Sequence, residues 1–405
     1  MVKIGSFNVQ NLKLKPGQDL KFGDGSSNQS DSFKKQKIEK ISKILKDEAF
    51  DLIALQEIQN EEAVKKIADT LGYQFCHASN IYEELIKRGF KNKHDSVFKP
   101  EYAFLWNPNS LTLERDPEVY KGISDRIAKH FDMFIDALAI MIAGMLFFRD
   151  KDPKKEKKEN EEKKDESKQK GLQYLGLIGI DLTSKKITRE IAKKRIADIL
   201  HKTLRPPLYG IFRRPFSSEI GMSVPDYPHS PSVVSGGGYG SRELRIINTH
   251  IQFGVGKDEF GGAKAIRLKE LEFVLGTLYD IVATQRDGKW RCPTTIVAGD
   301  YNMSWENLSN LNSSKDFMDC HKNRSFVVTN QKKPSTVKIA NPDEVNEGKT
   351  PQIEYVNNYD HFSYDSDMFN IGDPIISRFD CTNENFIADN RLISDHVPIK
   401  MVFDF

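Results

Sequence analysis

The sequence predicts an α/β sandwich, and three observations carry that prediction. Short apolar runs of strand character alternate with segments whose apolar residues recur at helical spacing, joined by short connections. The 405 residues are 38% hydrophobic and 10% aromatic, enough for a large core. Five of the apolar runs also carry acids, amides or imidazoles at one tip, where a rigid scaffold can hold polar groups around a ligand: Phe7-Asn8, Gln56-Glu57, Thr249-His250, Asp300-Tyr301-Asn302 and Ser394-Asp395-His396.

The elements follow in order. Residues 2–9 form a short apolar run suited to a buried strand. Residues 13–33 are polar, with Gly17, Gly23 and Gly25 among Ser and Asn, and read as a long loop. In 34–48, Ile38, Ile41, Ile44 and Leu45 share one helical face, and 51–58 is the next strand. The helix at 61–71 turns Val64, Ile67, Ala68 and Leu71 inward, and strands follow at 73–77 and 102–106.

There the rhythm breaks, which divides the chain into a main domain at 1–120 and 204–405 and a mainly helical insertion at 121–203. Residues 122–149 are a strongly apolar helix candidate, and 149–170 a Lys/Glu run that reads as a solvated tether. A second helix is expected at 183–202. The uncharged part of the first is about a dozen residues, short of the roughly 20 that a spanning helix needs. Asp132 and Asp136 interrupt any longer window. A packed helix is expected, with peripheral membrane contact as the alternative. The α/β pattern then resumes with strands at 207–213 and 243–251, a loop at 214–241, a helix at 263–284, and strands at 294–298 and 398–403.

Lys plus Arg (60) nearly balances Asp plus Glu (58), leaving a net charge of +2. No global basic field announces nucleic acid, though a local positive rim and a metal ion would serve one. Lys13, Lys15, Arg213, Arg214 and Arg242 lie near the long loops at 13–33 and 213–242, and are expected to border the site and embrace a polymer. The four cysteines are scattered without CxxC spacing, which fits a reduced compartment. With a strand starting at Val2 there is no room for a cleavable signal, so the cytoplasm is expected.

The residues at the strand ends suit phosphodiester hydrolysis. That reaction needs charge neutralised at the phosphate, a water activated and the developing charge stabilised. Hard cations such as Mg²⁺ prefer carboxylate and amide oxygens. Glu57 is a natural ligand, with Asn8 on the neighbouring strand end. Asp300 and Asn302, two apart, would point to one side of an extended strand and could orient water and hold a phosphate oxygen. His250 and His396 can move protons near neutral pH. Asp360 is the candidate to orient His396, and Arg205 to clamp a phosphate oxygen.

Each of these motifs is weak alone, but their ordered set is specific. Phe7-Asn8, Leu55-Gln56-Glu57, Arg205-Pro206-Pro207, Asn248-Thr249-His250, Gly299-Asp300-Tyr301-Asn302, Tyr359-Asp360 and Ser394-Asp395-His396-Val397-Pro398 together resemble the endonuclease/exonuclease/phosphatase superfamily. The resemblance implies a DNase I-like fold, a four-layer α-β-β-α sandwich of two mixed β-sheets with its site at the strand C-terminal ends. It implies Asn8 and Glu57 at the metal site, Asp395 as a second metal or water-orienting acid, and Asp300 with Asn302 as the catalytic pair. Asp360 would orient His396, and Arg205 and Asn302 would bind phosphate. A histidine at position 250 resembles the DNase I, sphingomyelinase, inositol phosphatase and toxin-nuclease branches. Glu101 is the nearest candidate partner for it, at a spacing one residue off the family pattern. The expected activity is Mg²⁺-dependent (alternatively Mn²⁺-dependent) endonucleolytic hydrolysis of DNA. The rivals are a phospholipid or phosphoinositide phosphodiesterase or phosphatase, and a non-catalytic scaffold.

Overall fold

The fold was obtained as a computed structural model that describes residues 1–14, 31–79, 101–119, 207–214, 243–251, 267–268, 270–284, 294–346, 348–369 and 374–404. The expected insertion at 121–203, Arg205, Lys15 and Arg242 lie outside these residues.

In chain order, β1 (Val2–Leu12) leads to α1 (Asp31–Glu48), β2 (Leu52–Ile58), α2 (Glu61–Leu71), β3 (Gln74–His77) and β4 (Tyr102–Trp106). Next come β5 (Thr112–Val119), β6 (Leu208–Arg213) and β7 (Glu243–His250). A π-helical turn at Phe273–Leu278 runs into α3 (Tyr279–Thr284), then β8 (Thr294–Asp300), α4 (Lys315–His321), β9 (Phe326–Val327), β10 (Val337–Ile339) and β11 (Ile353–Tyr355). The chain closes with β12 (Asp360–Asp365), β13 (Ile375–Arg378), β14 (Ile387–Ala388), β15 (Arg391–Leu392) and β16 (Ile399–Phe403).

Two six-stranded sheets carry the architecture, ordered β13-β16-β1-β2-β4-β3 and β5-β6-β7-β8-β12-β9. Both are mixed, because β1 pairs β2 and β7 pairs β8 in parallel while their other neighbours run antiparallel. The two-residue strand period sorts the side chains into layers. Leu52 and Ala54 of β2 enter the apolar layer between the sheets, whereas Ile53 and Leu55 face α1 and α2. In the second sheet Ile246 and Ile296 face inward, and Ile247 and Val297 meet the π-helical turn, α3 and α4. The result is the expected four-layer α-β-β-α sandwich.

Two amides cross the apolar layer between the sheets. Gln56 Nε2 donates to Asn248 Oδ1 at 2.7 Å, and Asn248 Nδ2 donates to the carbonyls of Leu55 at 2.9 Å and Ala103 at 3.1 Å. Both side chains are wholly buried. They lock the end of β2 against the end of β7.

The structure amends the sequence reading in three places. Helix α1 starts at Asp31, inside the stretch expected to be loop, because Phe33 packs into the layer beneath it and is 1% exposed. The strand β5 was not expected from its charged sequence TLERDPEV; it is an edge strand with two register shifts against β6, the place where Pro117 is tolerated. The helix expected through 284 contains the π-helical turn. One extra residue in a turn rotates everything after it, so in the last turn Val282 is buried and Ile281 only partly so.

His321, at the end of α4, stacks on Phe326 with ring centroids 3.8 Å apart and donates from Nε2 to the Leu275 carbonyl. Burial pushes its pKa down to about 4, and burial likewise pushes the fully enclosed His361 to about 4. A histidine depressed in the folded state stabilises fully above its unfolded value near 6.5, and that contribution is lost as pH falls from there towards 4. Urea unfolding at pH 7, 6 and 5 is therefore expected to show stability declining with acid. His321→Phe should keep the ring stacking and make that decline shallower by about one proton, ~1.4 kcal/mol per pH unit. An unchanged slope would contradict this account.

Candidate active site

Register builds the centre of the site. Parallel pairing of β7 with β8 sets His250 opposite Asp300, and antiparallel pairing of β8 with β12 sets Asp360 opposite Asp300. Three polar residues therefore form one row across adjacent strands, about 4.8 Å apart. Gly299 permits the close approach: its φ is +155°, and a Cβ there would sit 1.8 Å from the Thr249 carbonyl oxygen.

The first sheet brings Asn8 from β1 and Glu57 from β2. Asn8 Nδ2 donates to Glu57 Oε1 at 3.2 Å and to Asp300 Oδ2 at 3.1 Å, so one amide ties the two sheets' strand ends together. The last contribution comes from the segment before β16. Ser394 Oγ donates to the Asn8 carbonyl at 2.7 Å and accepts from the His396 backbone N–H at 3.1 Å. That seats His396, which is 6% exposed, against the row.

Asp300 is the hub. Its Oδ2 lies 3.5 Å from Nε2 of His250 and 3.5 Å from Nε2 of His396, and its Oδ1 accepts the Asn302 N–H at 2.8 Å. Behind His396, Asp360 Oδ2 sits 2.8 Å from Nδ1, so the proton on Nδ1 is held by a carboxylate. Asp360 is in turn fixed by its backbone N–H, which donates to Ser335 Oγ. Burial alone would lower the His396 pKa, but Asp360 and Asp300 outweigh it and hold the ring well above the usual histidine range. Burial pushes Asp300 upward, helped by Asp360 and opposed by His396. The two shifts describe one coupled cluster.

The row opens on a cleft of about 310 Å³ lined by Glu57, His250, Asp300, Asn302, Asp395 and His396, among others. The donor set suits a hard divalent cation. Glu57 faces the cleft with its side chain 17% exposed, and Asp395 does so at 50%. Asn8 adds Oδ1, which keeps a lone pair beyond the bond it accepts from the Gln10 N–H, while its Nδ2 is engaged by Glu57 and Asp300. Donor atoms of Asp300, Asp360 and His396 also lie within 4.8 Å of one another. There, however, Asp360 Oδ2 and His396 Nδ1 already bond each other, and an imidazole is a poor ligand for Mg²⁺. Glu57 with Asn8 is the better cation position.

Of the residues singled out from sequence, Asn8, Glu57, His250, Asp300, Asn302, Asp360, Asp395 and His396 come together here. Arg205 lies outside the described residues. Asn302 reaches the cleft by a different route from the one expected. The strand ends at Asp300, Asn302 adopts a left-handed φ of 49°, and its Nδ2 donates to the Ile251 carbonyl at 2.6 Å. A turn around the Asp300 side chain, not strand alternation, brings it in.

Two basic residues expected to border the site do not. Arg213 pairs in register with Glu243 at the start of β7, the opposite end of the strand from His250, and Arg214 bonds Asp404. Glu101, proposed to partner His250, is buried just ahead of β4. Glu57 Oε1 lies 3.7 Å from His250 Nε2. Sequence reasoning assigned no role to Asn248, Ser335 or Ser394. Asn248 and Ser394 stood next to or within the motifs, but such residues are common in loops, and Ser335 had no such signal.

No family model matches the chain, and no curated protein matches it. Among solved structures it is similar to mannosyl-6-phosphatase Bt3783 of Bacteroides thetaiotaomicron, at 12% identity and a TM-score of 0.45, covering 100% of both chains. It is similar to D. rerio TDP2 complexed with single strand DNA product, at 11% identity and a TM-score of 0.44, covering 100% of this chain and 99% of that one. A third is an endonuclease/exonuclease/phosphatase family protein of Bacteroides thetaiotaomicron, at 13% identity and a TM-score of 0.42, covering 100% and 98%. Likenesses of this depth carry nothing about the chemistry, which is read from the cleft.

If Asp360 orients His396, Asp360→Asn removes the carboxylate while keeping the shape. Steady-state hydrolysis of bis(p-nitrophenyl) phosphate should then fall by ~10²–10⁴-fold, as when a catalytic histidine loses its orienting acid. The unfolding midpoint should fall as well, because the buried imidazole loses its paired charge, so the rate is compared at a temperature where circular dichroism shows both proteins folded. Activity within about threefold of wild type would remove Asp360 from the catalytic set.

Proposed function

We propose that this chain is a divalent-metal-dependent phosphoester hydrolase of the superfamily it resembles, acting on nucleic acid as an endonuclease. One observation carries the hydrolase reading: a single carboxylate oxygen of Asp300 is flanked at 3.5 Å by Nε2 of both His250 and His396, at a cleft that also presents Glu57 and Asp395. Two proton-carrying groups and an acid around one point form a constellation suited to in-line attack of water on phosphorus.

Each side chain then has a defined task. Glu57 and Asn8, with Asp395, would hold Mg²⁺ or Mn²⁺, which when bound supplies positive charge to offset that of the phosphate. Asp300 accepts the proton of the attacking water. His396, kept cationic by Asp360 and Asp300, donates hydrogen bonds to the phosphate oxygens. His250 sits on the other side of Asp300, where it can protonate the leaving oxygen. Asn302 retains an amide proton beyond its bond to Ile251 and can bind a further phosphate oxygen.

The nucleic-acid substrate is the finer part of the proposal. It is supported by the resemblance of the Asn248-Thr249-His250 strand end to the DNase I branch, and by exposed Lys13 beyond the end of β1. Arg213 and Arg214 no longer contribute to it. The lipid alternative rested on the insertion helix, outside the described residues; among the described residues no helix is long and apolar enough to cross a membrane.

A substrate panel separates the readings. Supercoiled plasmid, single-stranded DNA, RNA, sphingomyelin and phosphoinositides are each incubated with Mg²⁺, with EDTA, and with His250→Ala. Plasmid nicking is expected in Mg²⁺, abolished by EDTA, and reduced by at least ~100-fold in the variant. Lipid turnover without nicking would overturn the nuclease assignment, and no turnover of any substrate would favour the scaffold.

A further inference from the structure

Beyond Asn8, β1 does something unusual. Its register with β2 shifts between Asn8 and Leu12, and two consecutive non-glycine residues, Gln10 and Asn11, adopt left-handed φ values of 48° and 54°. Side chains disfavour that conformation, so a pair of them persists only where surrounding contacts over-determine it. The bulge has a use. Its Gln10 N–H donates to Asn8 Oδ1 at 2.9 Å, and its Asn11 N–H donates to Glu57 Oε2 at 3.0 Å. The two oxygen donors of the candidate cation position are thus aimed by successive backbone amides.

Two side chains grip the bulge: Gln59 Nε2 donates to Asn11 Oδ1 at 2.7 Å, and Lys37 reaches it from behind. This lysine of α1 is 1% exposed, in a layer that includes Leu12, Leu14, Phe33 and Ile41. Its Nζ donates to the Gln10 carbonyl at 2.7 Å. Burial pulls its pKa down to about 7, while Asp395 and Glu57 act in the opposite direction and Lys34 adds to the lowering. A buried ammonium in an apolar layer is costly unless it is bonded and faces opposite charge. The Gln10 carbonyl supplies the bond, and the charges that oppose the lowering, Asp395 and Glu57, belong to the cleft, although burial outweighs them.

We propose that Lys37 is a positioning residue: from behind the site it holds the Gln10–Asn11 bulge so that its amides fix Asn8 and Glu57 as oxygen donors for a divalent cation. The inference rests on the metal-site reading above and assigns Lys37 no contact with substrate. Groups that orient metal ligands from behind typically change affinity by ~10–100-fold when removed.

The test is direct Mn²⁺ titration by electron paramagnetic resonance on the full chain, with urea unfolding in parallel. Lys37→Met is expected to weaken Mn²⁺ binding by at least ~10-fold while its unfolding midpoint stays at or above that of wild type, since a thioether suits the apolar layer better than an ammonium. Lys37→Arg, which keeps a cationic donor, should bind within about threefold of wild type. A lysine serving stability alone would give the reverse pattern, a lowered midpoint with Mn²⁺ affinity intact, and that overturns the proposal. If Lys37→Met does not fold, Lys37→Arg decides, and a folded arginine variant with a tenfold loss overturns it. Wild-type chain that binds no Mn²⁺ at millimolar concentration sinks the metal-site reading and this inference together. Wild-type binding that survives unchanged in Lys37→Met sinks the inference alone.

Discussion

The structure depends on a polar lock between two otherwise apolar faces. Sheets packed through Leu, Ile, Val and Phe can slide by a residue at small cost, because one apolar contact replaces another. The Asn248 side chain forbids that. It spends its amide on Leu55, Ala103 and Gln56 of the opposite sheet, and in any other alignment those buried groups would lose their partners. The lock lies two residues from His250 on one sheet and beside Glu57 on the other. Sheet alignment and site geometry are therefore one constraint.

From that constraint the electrostatics follow. Asp300, Asp360 and His396 are all buried, and no isolated charge would be stable there. Each is tolerated because the others are present: Asp360 holds the imidazole in its cationic form, and the imidazole eases the burial of both carboxylates. Asn8 extends the cluster to Glu57 at the cleft. The outermost acids, Glu57 and Asp395, are the more exposed ones, as a position for a cation that arrives from solvent requires.

Much of this was legible in the sequence, for identifiable reasons. Strands bounded by polar tips and helices with clean spacing, such as Glu61–Leu71, are specified locally. The residues of the row were visible because acids and imidazoles at the ends of apolar runs have few structural uses. What escaped was set by tertiary contact. The left-handed turn at Asn302, the π-helical turn, the edge strand β5 and the buried Lys37 answer to neighbours far away in sequence. A lysine in an amphipathic helix reads as solvent-facing until the element beneath it is known. The placing of Arg213 beside the site failed for a related reason: closeness in sequence to a motif says nothing about which end of a strand a residue occupies.

The central claim is that the ends of strands from both sheets act on one phosphate. A double-mutant cycle across the sheets tests it most directly, with Glu57→Gln from the first, His250→Ala from the second, and the two combined. The readout is kcat/KM for plasmid nicking in Mg²⁺. Groups that act as a unit on one transition state are strongly non-additive, so the double variant should be within about tenfold of the slower single variant. Losses that simply multiply would mean that the two residues serve separate steps or separate sites, and the account would fail.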